Sequence, residues 1–371
     1  MSHTMCEAMT PPAFGHLPRE AGEEQKNKGE ERPMTKRASA TAPPIRRGVL
    51  LGALAAPALL RPAWGQSFPS RTIRLVVPFP PAGAADLVAR LLGERMSADL
   101  GQTVVVDNRP GAGGNIAAEV VARSAPDGYT LFLGGATIFC ANKFLYGGSI
   151  PFDPIKDFTH LSRVSIGTTV LVVNAKEPWR TFGEFVADAK ARPGKIVMAS
   201  SGQGTISHLS LAKLMQAAQI DITPVPYRGL APALNDLLAG SVNMMFDGIP
   251  ALIPPVREGR LRALAVGSAK RVDYVPGLES VPAMDELLPG SGMDMEFWYS
   301  VDGPAGLPTD ITARLQAAVV RAAQQPDYRE RLQPLGFMPI TDASPAAFTA
   351  YIEAQVPVWQ ELVRVSGARI E

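Results

Sequence analysis

Cysteine and histidine are scarce in this chain of 371 residues, which contains two cysteines and four histidines. Cys6 lies in an N-terminal leader that is discussed below, so Cys140 alone remains and we expect no internal disulfide. Beyond the leader, the histidines are His160 and His208. Neither is spaced from Cys140 or from an acidic pair as metal ligands usually are. The sequence therefore predicts no metal site and no cofactor.

Long apolar runs, blocks of like charge and nucleotide-binding motifs are also missing. The chain has 36 basic and 35 acidic side chains, without a charge block that would suit nucleic acid or an anionic membrane surface. The phosphate-binding pattern G-x-x-x-x-G-K-[ST] does not occur, and the glycines of 111–115 depart from G-x-G-x-x-G after its third position. These absences argue against a nucleic-acid partner and against nucleotide binding.

The segment 34–65 has the construction of a signal peptide. Arg46 and Arg47 precede thirteen uncharged residues, 48–60, and small residues follow at 63–65, where a signal peptidase needs them. This run is shorter than the roughly 20 apolar residues that a bilayer core requires, so a removed signal is favoured over a membrane anchor. We therefore predict an exported protein with a cleaved signal peptide. The arginine pair leaves the general secretory (Sec) and twin-arginine (Tat) routes both open.

A polar segment, 1–33, precedes this signal. It is rich in Glu and Lys and poor in residues that could pack, so we expect either a disordered extension or a mis-assigned start. A start at Met34 instead of Met1 would give a signal of ordinary construction. Cleavage before Gln66 would leave a chain long enough for two domains.

Beyond the leader, short β-branched runs alternate with longer helical patterns, which is typical of α/β proteins with a mostly parallel sheet. Residues 73–77 form the predicted first strand, and apolar residues then recur at helical spacing through 87–92. The region 136–158, rich in Gly, Pro and aromatic residues, is expected to wrap the surface. Pro357 falls inside the last helical pattern and is expected to kink or divide that helix, because proline cannot donate the backbone bond there.

Three segments place a glycine-rich turn between the end of a predicted strand and the start of a helix: 78–86, 108–115 and 200–205. Glycine lets backbone N–H groups approach a ligand, and a helix start adds unpaired donors with a partial positive charge. A single turn of this kind is more often only a tight connection between strand and helix. Three of them, in both halves of the chain, favour a shared cleft for an anion.

Ser201 and His208 raise the alternative of a secreted serine hydrolase. Ser201 lacks the G-x-S-x-G elbow, and His208 follows it at helical spacing instead of on a separate loop. A pocket hydroxyl and a helix-packing histidine are therefore favoured, and we predict no catalytic residue.

Several longer motifs point to a known family. They lie at 69–81, 107–116, 125–131, 202–209, 225–233 and 298–306. As a set they resemble the tripartite tricarboxylate transporter receptors, also called Bug or TctC-like proteins, which are periplasmic solute-binding proteins of bacteria. The resemblance covers essentially the whole chain from about Phe68. Two positions depart from it: Ala82, where the family usually has glycine, and Asn243, where it often has aspartate.

The resemblance implies an α/β fold with two lobes, the type II periplasmic-binding-protein or Venus-flytrap fold, in which each lobe is a mixed sheet flanked by helices. Lobe 1 would comprise 66–167 and 297–371, and lobe 2 would comprise 168–296. The resemblance also implies ligand contacts between the lobes at Phe79, Ala82, Ala84, Asp86, Gly113, Gly114, Asn115, Ala136, Thr137, Ser201, Gly202, Gly204, Thr205, Tyr227 and Asp247.

By the same resemblance, the protein would be a receptor and not an enzyme. It would capture a small organic carboxylate and deliver it to the membrane permease subunits of a tripartite tricarboxylate transporter, acting as a monomer. A receptor that presents its ligand to a membrane kinase is the alternative within the same fold. Because the family holds its ligands through backbone groups and ordered waters, the sequence does not name the ligand.

Overall fold

The computed structural model describes residues 68–81 and 83–370. The predicted extension 1–33, the predicted signal peptide 34–65 and Ala82 lie outside the described residues. All described residues belong to one compact unit. None of the helices in this part of the chain combines the length and the apolarity that crossing a membrane requires.

Strands and helices alternate along most of the chain. The strands are β1 (Ile73–Val77), β2 (Val104–Asn108), β3 (Thr130–Gly135), β4 (Phe158–Gly167), β5 (Thr169–Asn174), β6 (Val197–Ser200), β7 (Thr223–Pro226), β8 (Met244–Gly248), β9 (Leu261–Val266), β10 (Phe297–Pro304) and β11 (Phe337–Met338). The α-helices are α1 (Ala84–Leu100), α2 (Asn115–Ala122), α3 (Asn142–Leu145), α4 (Phe182–Ala191), α5 (Ile206–Ala218), α6 (Leu230–Ala239), α7 (Ile249–Arg257), α8 (Met284–Leu287), α9 (Thr309–Ala323), α10 (Pro326–Leu332) and α11 (Pro345–Ser366). A π-helix covers Thr137–Ala141, and 3₁₀ turns cover Ala112–Gly114 and Gln333–Leu335.

The first sheet is mixed, with the strand order β11-β4-β10-β3-β1-β2. β1 pairs in parallel with β2 and with β3, whereas β10 lies antiparallel between β3 and β4. Ile73, Leu75, Val76 and Val77 of β1 are completely buried. Helices cover both faces of such a central parallel strand, which is why β1 is a continuous apolar run in the sequence.

The second sheet has the order β7-β6-β8-β5-β9 and is also mixed. β6 pairs in parallel with β7 and β8, and β5 pairs antiparallel with β8 and β9. The prediction of mixed sheets flanked by helices is confirmed. The narrower inference of a mostly parallel sheet was wrong, because a strand such as β10 returns to its sheet after the chain has visited the other one, and so arrives in the opposite direction.

The chain crosses between the sheets twice within the described residues. It leaves the first sheet between Gly167 and Thr169 and returns to it at Phe297. Helix α11 packs against both the π-helix and α5, so it contacts elements that flank each of the two sheets. Phe348 of α11 and Leu214 of α5 belong to one hydrophobic core. This shared core connects helices that flank the two different sheets.

The π-helix corrects one prediction about the region 136–158. Instead of wrapping the surface, its residues Ile138, Phe139 and Cys140 are at most 2% exposed. The Phe139 ring packs edge to face against Phe132 and Phe158, with ring centroids 6.0 Å and 5.2 Å apart. Phe139, Phe152 and Phe158 are therefore core residues, whereas residues 147–149 of the same region are exposed.

Helix α11 continues through Pro357 to Ser366, so the predicted division of this helix is wrong, and the alternative of a kink at Pro357 stays a prediction. Pro357 lies on the exposed face, while Phe348, Ile352 and Trp359 anchor the buried face on both sides of it. Packing of the apolar face on either side of one missing backbone bond is sufficient to keep the helix intact.

Candidate ligand-binding site

A cavity of about 740 Å³ lies between the two sheets, a size that suits a small organic molecule. On the side of the first sheet it is lined by Phe79, Gly83, Ala84, Asp86, Leu87, Arg90, Gly113, Gly135, Ala136, Thr137, Ile138, Asn142, Leu145, Phe297, Trp298, Tyr299, Leu335 and Ile370. On the side of the second sheet it is lined by Ser201, Gln203, Gly204, Thr205, Ile206, Leu230, Asp247, Gly248, Pro250 and Ala251.

Three α-helices begin at the wall of this cavity. The residues that precede α1, α5 and α7, namely Gly83, Thr205 and Gly248, all line it. Neither Gly83 nor Gly248 provides a side-chain cap. The first N–H groups of a helix have no partner inside the helix, and they carry its partial positive charge. At α1 and α5 the cavity therefore offers an anion backbone donors that do not depend on a cationic side chain. In α7 the N–H of Ile249 donates to the carbonyl of Thr168 at 3.4 Å, and Pro250 has no N–H.

The carboxylate of Asp86 pairs with Arg90 within α1 and, through a hydrogen bond from Asn108, joins the start of α1 to the end of β2. Arg90 Nε donates to Asp86 Oδ2 at 2.8 Å, and Asn108 Nδ2 donates to Asp86 Oδ1 at 3.0 Å. Asp86 is buried, whereas the Arg90 side chain is 55% exposed. The carboxylate of Asp86 thus orders the turn, and its partner Arg90 lies at the outer edge of the cavity wall.

Asp247 brings a buried carboxyl to the opposite wall. Its Oδ1 accepts from the N–H of Gly248 at 2.7 Å, and its Oδ2 has no hydrogen-bond partner among the described residues. Burial raises the pKa of Asp247, and the hydroxyls of Ser201 and Ser207 oppose this shift only in part. Burial, and then the negative charge of Asp247, also raise the pKa of Tyr299. The carboxyl of Asp247 is therefore electrostatically coupled to a residue of the first sheet.

The turn before α5 is held by its own side chains. Thr205 is the N-cap of α5: its Oγ1 accepts from the N–H of His208 at 3.5 Å and donates to the carbonyl of Gly202 at 2.7 Å. Ser201 Oγ donates to Thr205 Oγ1 at 3.2 Å. These bonds fix the position of Gly204, which lines the cavity with a φ of +74°.

His208 is arranged as a structural residue. Its Nδ1 accepts from the N–H of Gly204 at 3.1 Å, so the proton of the neutral ring lies on Nε2. Burial lowers the pKa of His208, which favours that neutral form. Among the described residues, no hydrogen bond joins Ser201 to His208. The geometry thus gives Ser201 no general base.

The turn 108–115 reaches the cavity at only one residue, Gly113. Gly114 lies behind it, where a Cβ would be 2.7 Å from Ile138 Cδ1. Asn115 is also buried, and its Oδ1 accepts from Asn142 Nδ2 at 2.6 Å. Gly114 and Asn115 therefore position the turn against the π-helix and α3.

The predicted contacts divide into two groups. Those that line the cavity are Phe79, Ala84, Asp86, Gly113, Ala136, Thr137, Ser201, Gly204, Thr205 and Asp247. Those that do not are Gly114, Asn115, Gly202 and Tyr227. Tyr227 Oη instead donates to Asp236 Oδ2 at 2.6 Å, and this bond, with a smaller effect of burial, raises the pKa of Tyr227 to about 12. Contact of any of these residues with a ligand stays a prediction.

Sequence reasoning missed several lining residues. Trp298 and Tyr299 belong to a motif noted in the sequence and could have been included on that ground. Arg90 follows Asp86 at the spacing of one helical turn, which also signals a pair on one helix face. Leu335 and Ile370 come from distant segments, and no local pattern marks them.

Metal binding has no support in the geometry. Among residues 68–81 and 83–370, no group of three or more His, Cys, Asp or Glu side chains is placed to hold a metal ion.

Known proteins are similar to this chain in sequence and in architecture. Residues 88–367 match the family model described as "Tripartite tricarboxylate transporter family receptor". Protein BugT of Bordetella pertussis is 35% identical over 324 residues, which cover 86% of this chain and 96% of BugT.

Two similar solved structures contain organic acids. The structure of R. palustris Rpa4515 with adipate is 33% identical, has a TM-score of 0.74 and is matched over 82% of this chain and 100% of that one. MatC (Rpa3494) from Rhodopseudomonas palustris with bound malate is 33% identical, has a TM-score of 0.69 and is matched over 80% of this chain and 100% of that one.

Proposed function

Because this chain belongs to the tripartite tricarboxylate transporter receptor family, we propose that it binds a small organic carboxylate in the cavity between its two sheets. The predictions of a two-lobed receptor fold and of a protein that is not an enzyme are confirmed by this membership and by the solved relatives.

The starts of α1 and α5, on opposite sides of the cavity, are the observation that carries the proposal. A carboxylate between them would accept hydrogen bonds from the first N–H groups of these two helices, which have 17 and 13 residues. Adipate in Rpa4515 and malate in MatC are ligands of this chemical class. The ligand contacts that we propose are the predicted residues that line the cavity.

Lobe closure would follow from the position of this site. We propose lobe 1 as 66–167 with 297–371 and lobe 2 as 168–296, since the chain changes sheets close to these limits. An anion between the two lobes is bonded by both, and so it stabilises the closed arrangement. The closed form would then be the one that a membrane partner recognises.

The permease subunits of a tripartite tricarboxylate transporter are the proposed partners, because the family description names that transporter. Such a receptor must reach the outer side of the membrane. The arginine pair and the short apolar run of 34–65 would supply the export signal and be removed before the protein binds its ligand.

Calorimetry on the full chain with a panel of organic acids tests the proposal. Ala251 is half-buried at the cavity wall, so Ala251→Trp should fill part of the cavity and weaken binding at least 10-fold. Ala187→Trp places the same ring on the exposed face of α4, outside the lining, and should bind as wild type does. Equal affinity in both variants would remove the cavity from the proposal.

A further inference from the structure

We propose that the ligand is a monocarboxylate with a bulky apolar body, in preference to a dicarboxylate or tricarboxylate. This inference rests on the proposed function, carboxylate binding in the cavity between the sheets. It concerns the part of the ligand beyond its first carboxylate. The charges, the hydrogen-bonded polar groups and the apolar surface of the cavity wall determine which chemistry that part can have.

The charges of the wall leave a second ligand carboxylate without a partner. Among the described lining residues, Arg90 is the one cationic side chain, and it is already bonded to Asp86 at 2.8 Å and 55% exposed. On the facing wall stands Asp247, only 7% exposed. A second carboxylate in the cavity would be desolvated beside a buried carboxyl and would gain no unpaired cation in return.

The two amide side chains of the wall, those of Asn142 and Gln203, already bond to the protein. Asn142 Nδ2 donates to the carbonyl of Gly113 at 3.1 Å as well as to Asn115. Gln203 Nε2 donates to the carbonyl of Arg369 at 2.8 Å. A ligand rich in hydroxyl or carboxylate groups would have to break these bonds, whereas an apolar body would leave them intact.

Apolar side chains provide most of the surface that the cavity exposes. Phe79, Leu230, Pro250, Phe297 and Leu335 contribute to it, and they come from both sides of the cleft. A volume of about 740 Å³ greatly exceeds the space that one carboxylate needs. Affinity must therefore come chiefly from the apolar area that the ligand covers, while the helix N-termini hold its one charged group.

Titration calorimetry on the full chain compares matched probes. The monocarboxylates are benzoate, octanoate and 4-phenylbutyrate, and the polycarboxylates are adipate and citrate. The alcohol 4-phenylbutanol is the neutral control. We expect at least one monocarboxylate to bind 10-fold or more tightly than adipate, citrate and the alcohol.

A cation added to the wall should invert this preference. Leu335 is half-buried, so in Leu335→Lys the lysine stem can replace the leucine while its ammonium faces the cavity. This variant should bind adipate at least 10-fold more tightly than wild type does. Ala187→Lys is the matched control, because it adds the same charge on the exposed face of α4, outside the lining, and should keep the wild-type order. Ala251→Lys provides the same test if Leu335→Lys does not fold.

The outcomes separate this inference from the function on which it rests. Tighter binding of adipate or citrate than of every monocarboxylate overturns the inference and leaves carboxylate binding in place. Binding of the neutral alcohol as tightly as of every acid overturns the proposed function, and the inference with it. A preference of Leu335→Lys identical to that of wild type contradicts the argument from wall charge.

Discussion

Gln203 Nε2 donates a hydrogen bond to the backbone carbonyl of Arg369 at 2.8 Å, which joins the turn before α5 to the C-terminal tail. The next residue of the tail, Ile370, donates from its N–H to the carbonyl of Leu145 at 2.8 Å. Leu145 ends α3, beside the first sheet, while α5 flanks the second. The tail therefore connects the two sides of the cavity at its wall.

Removing this connection should shorten the lifetime of the bound state. A net hydrogen bond contributes about 0.5 to 1.5 kcal/mol, so Gln203→Ala should speed release of a bound carboxylate by roughly 2- to 10-fold. Stopped-flow displacement measures the rate. Gln216→Ala is the matched control, since Gln216 is exposed on α5 and does not line the cavity. Equal release rates in both variants would contradict a role for the tail.

Asp247 should make ligand affinity depend on pH. Its raised pKa keeps the carboxyl protonated at pH values where an ordinary aspartate is charged, and above that pKa the charged form repels the ligand anion. Carboxylate affinity should therefore fall with rising pH across the range above about pH 5, in which the ligand itself stays ionised. Calorimetry across this range measures the slope. Asp247→Asn should flatten it, and an unchanged slope would assign the effect to another group.

Gly113 and Gly147 allow backbone strain to be separated from contact with the ligand. Both have positive φ, +62° and +58°, so alanine at either should cost about 1–2 kcal/mol of stability. A Cβ on Gly113 would lie 2.8 Å from Tyr146 Oη at the cavity wall, whereas a Cβ on Gly147 meets no atom within 4 Å. We expect both variants to melt earlier and only Gly113→Ala to lose affinity by calorimetry. If Gly113→Ala and Gly147→Ala bound the ligand with similar affinity, Gly113 would not be a ligand contact.

The buried pair of His160 and Asp302 should be important for stability. His160 Nδ1 lies 2.7 Å from Asp302 Oδ1, and its Nε2 lies 3.1 Å from the carbonyl of Pro154. Both partner side chains are at most 2% exposed. Asp302→Ala leaves the ring without its partner and should cost about 3–5 kcal/mol in urea unfolding. The exposed pair of Glu361 and Arg364 is the control, because solvent screens it and Glu361→Ala should barely change stability.

Loss of the proton of Glu296 should lower the free energy of unfolding as the pH rises. Burial, and then the charge of Asp294, raise its pKa from the ordinary 4.5 to about 7 in the folded protein. The unfolded chain releases this proton at lower pH, so the native state binds more protons between those values and unfolding becomes easier as the pH increases through them. Glu296→Gln should therefore gain stability over wild type at about pH 8 but not at about pH 4. Urea unfolding at both values measures the difference, and an equal gain at each would contradict titration of Glu296.

The sequence determined the elements that surround the site because their signals are local. The buried run of β1 and the helical stripe of α1 can be identified from apolar spacing alone. Ser344 followed by Pro345 is a typical local signal for a helix start, and Ser344 Oγ accepts from the N–H of Ala347 at 3.2 Å at the start of α11. Glycine-rich turns likewise marked where α1 and α5 begin, and residues of both turns line the cavity.

Tertiary structure decided which residues of those turns reach the cavity. Gly113 lines it while Gly114 and Asn115 pack behind, because the π-helix and Asn142 approach that turn from another part of the chain. Tyr227 lies in a matching motif, yet its hydroxyl bonds to Asp236 and its ring does not line the cavity. No local pattern specifies such contacts.

The sequence by itself determined the α/β layering, the family and the helix starts that can hold an anion, since each depends on neighbouring residues along the chain. The distant residues that complete the cavity depend on the tertiary structure. Leu335, Ile370 and Phe297 line it because the chain returns from the second sheet to the first and its tail closes against Leu145. Burial of apolar surface is non-directional, so it selects whichever distant side chains the packed elements bring together.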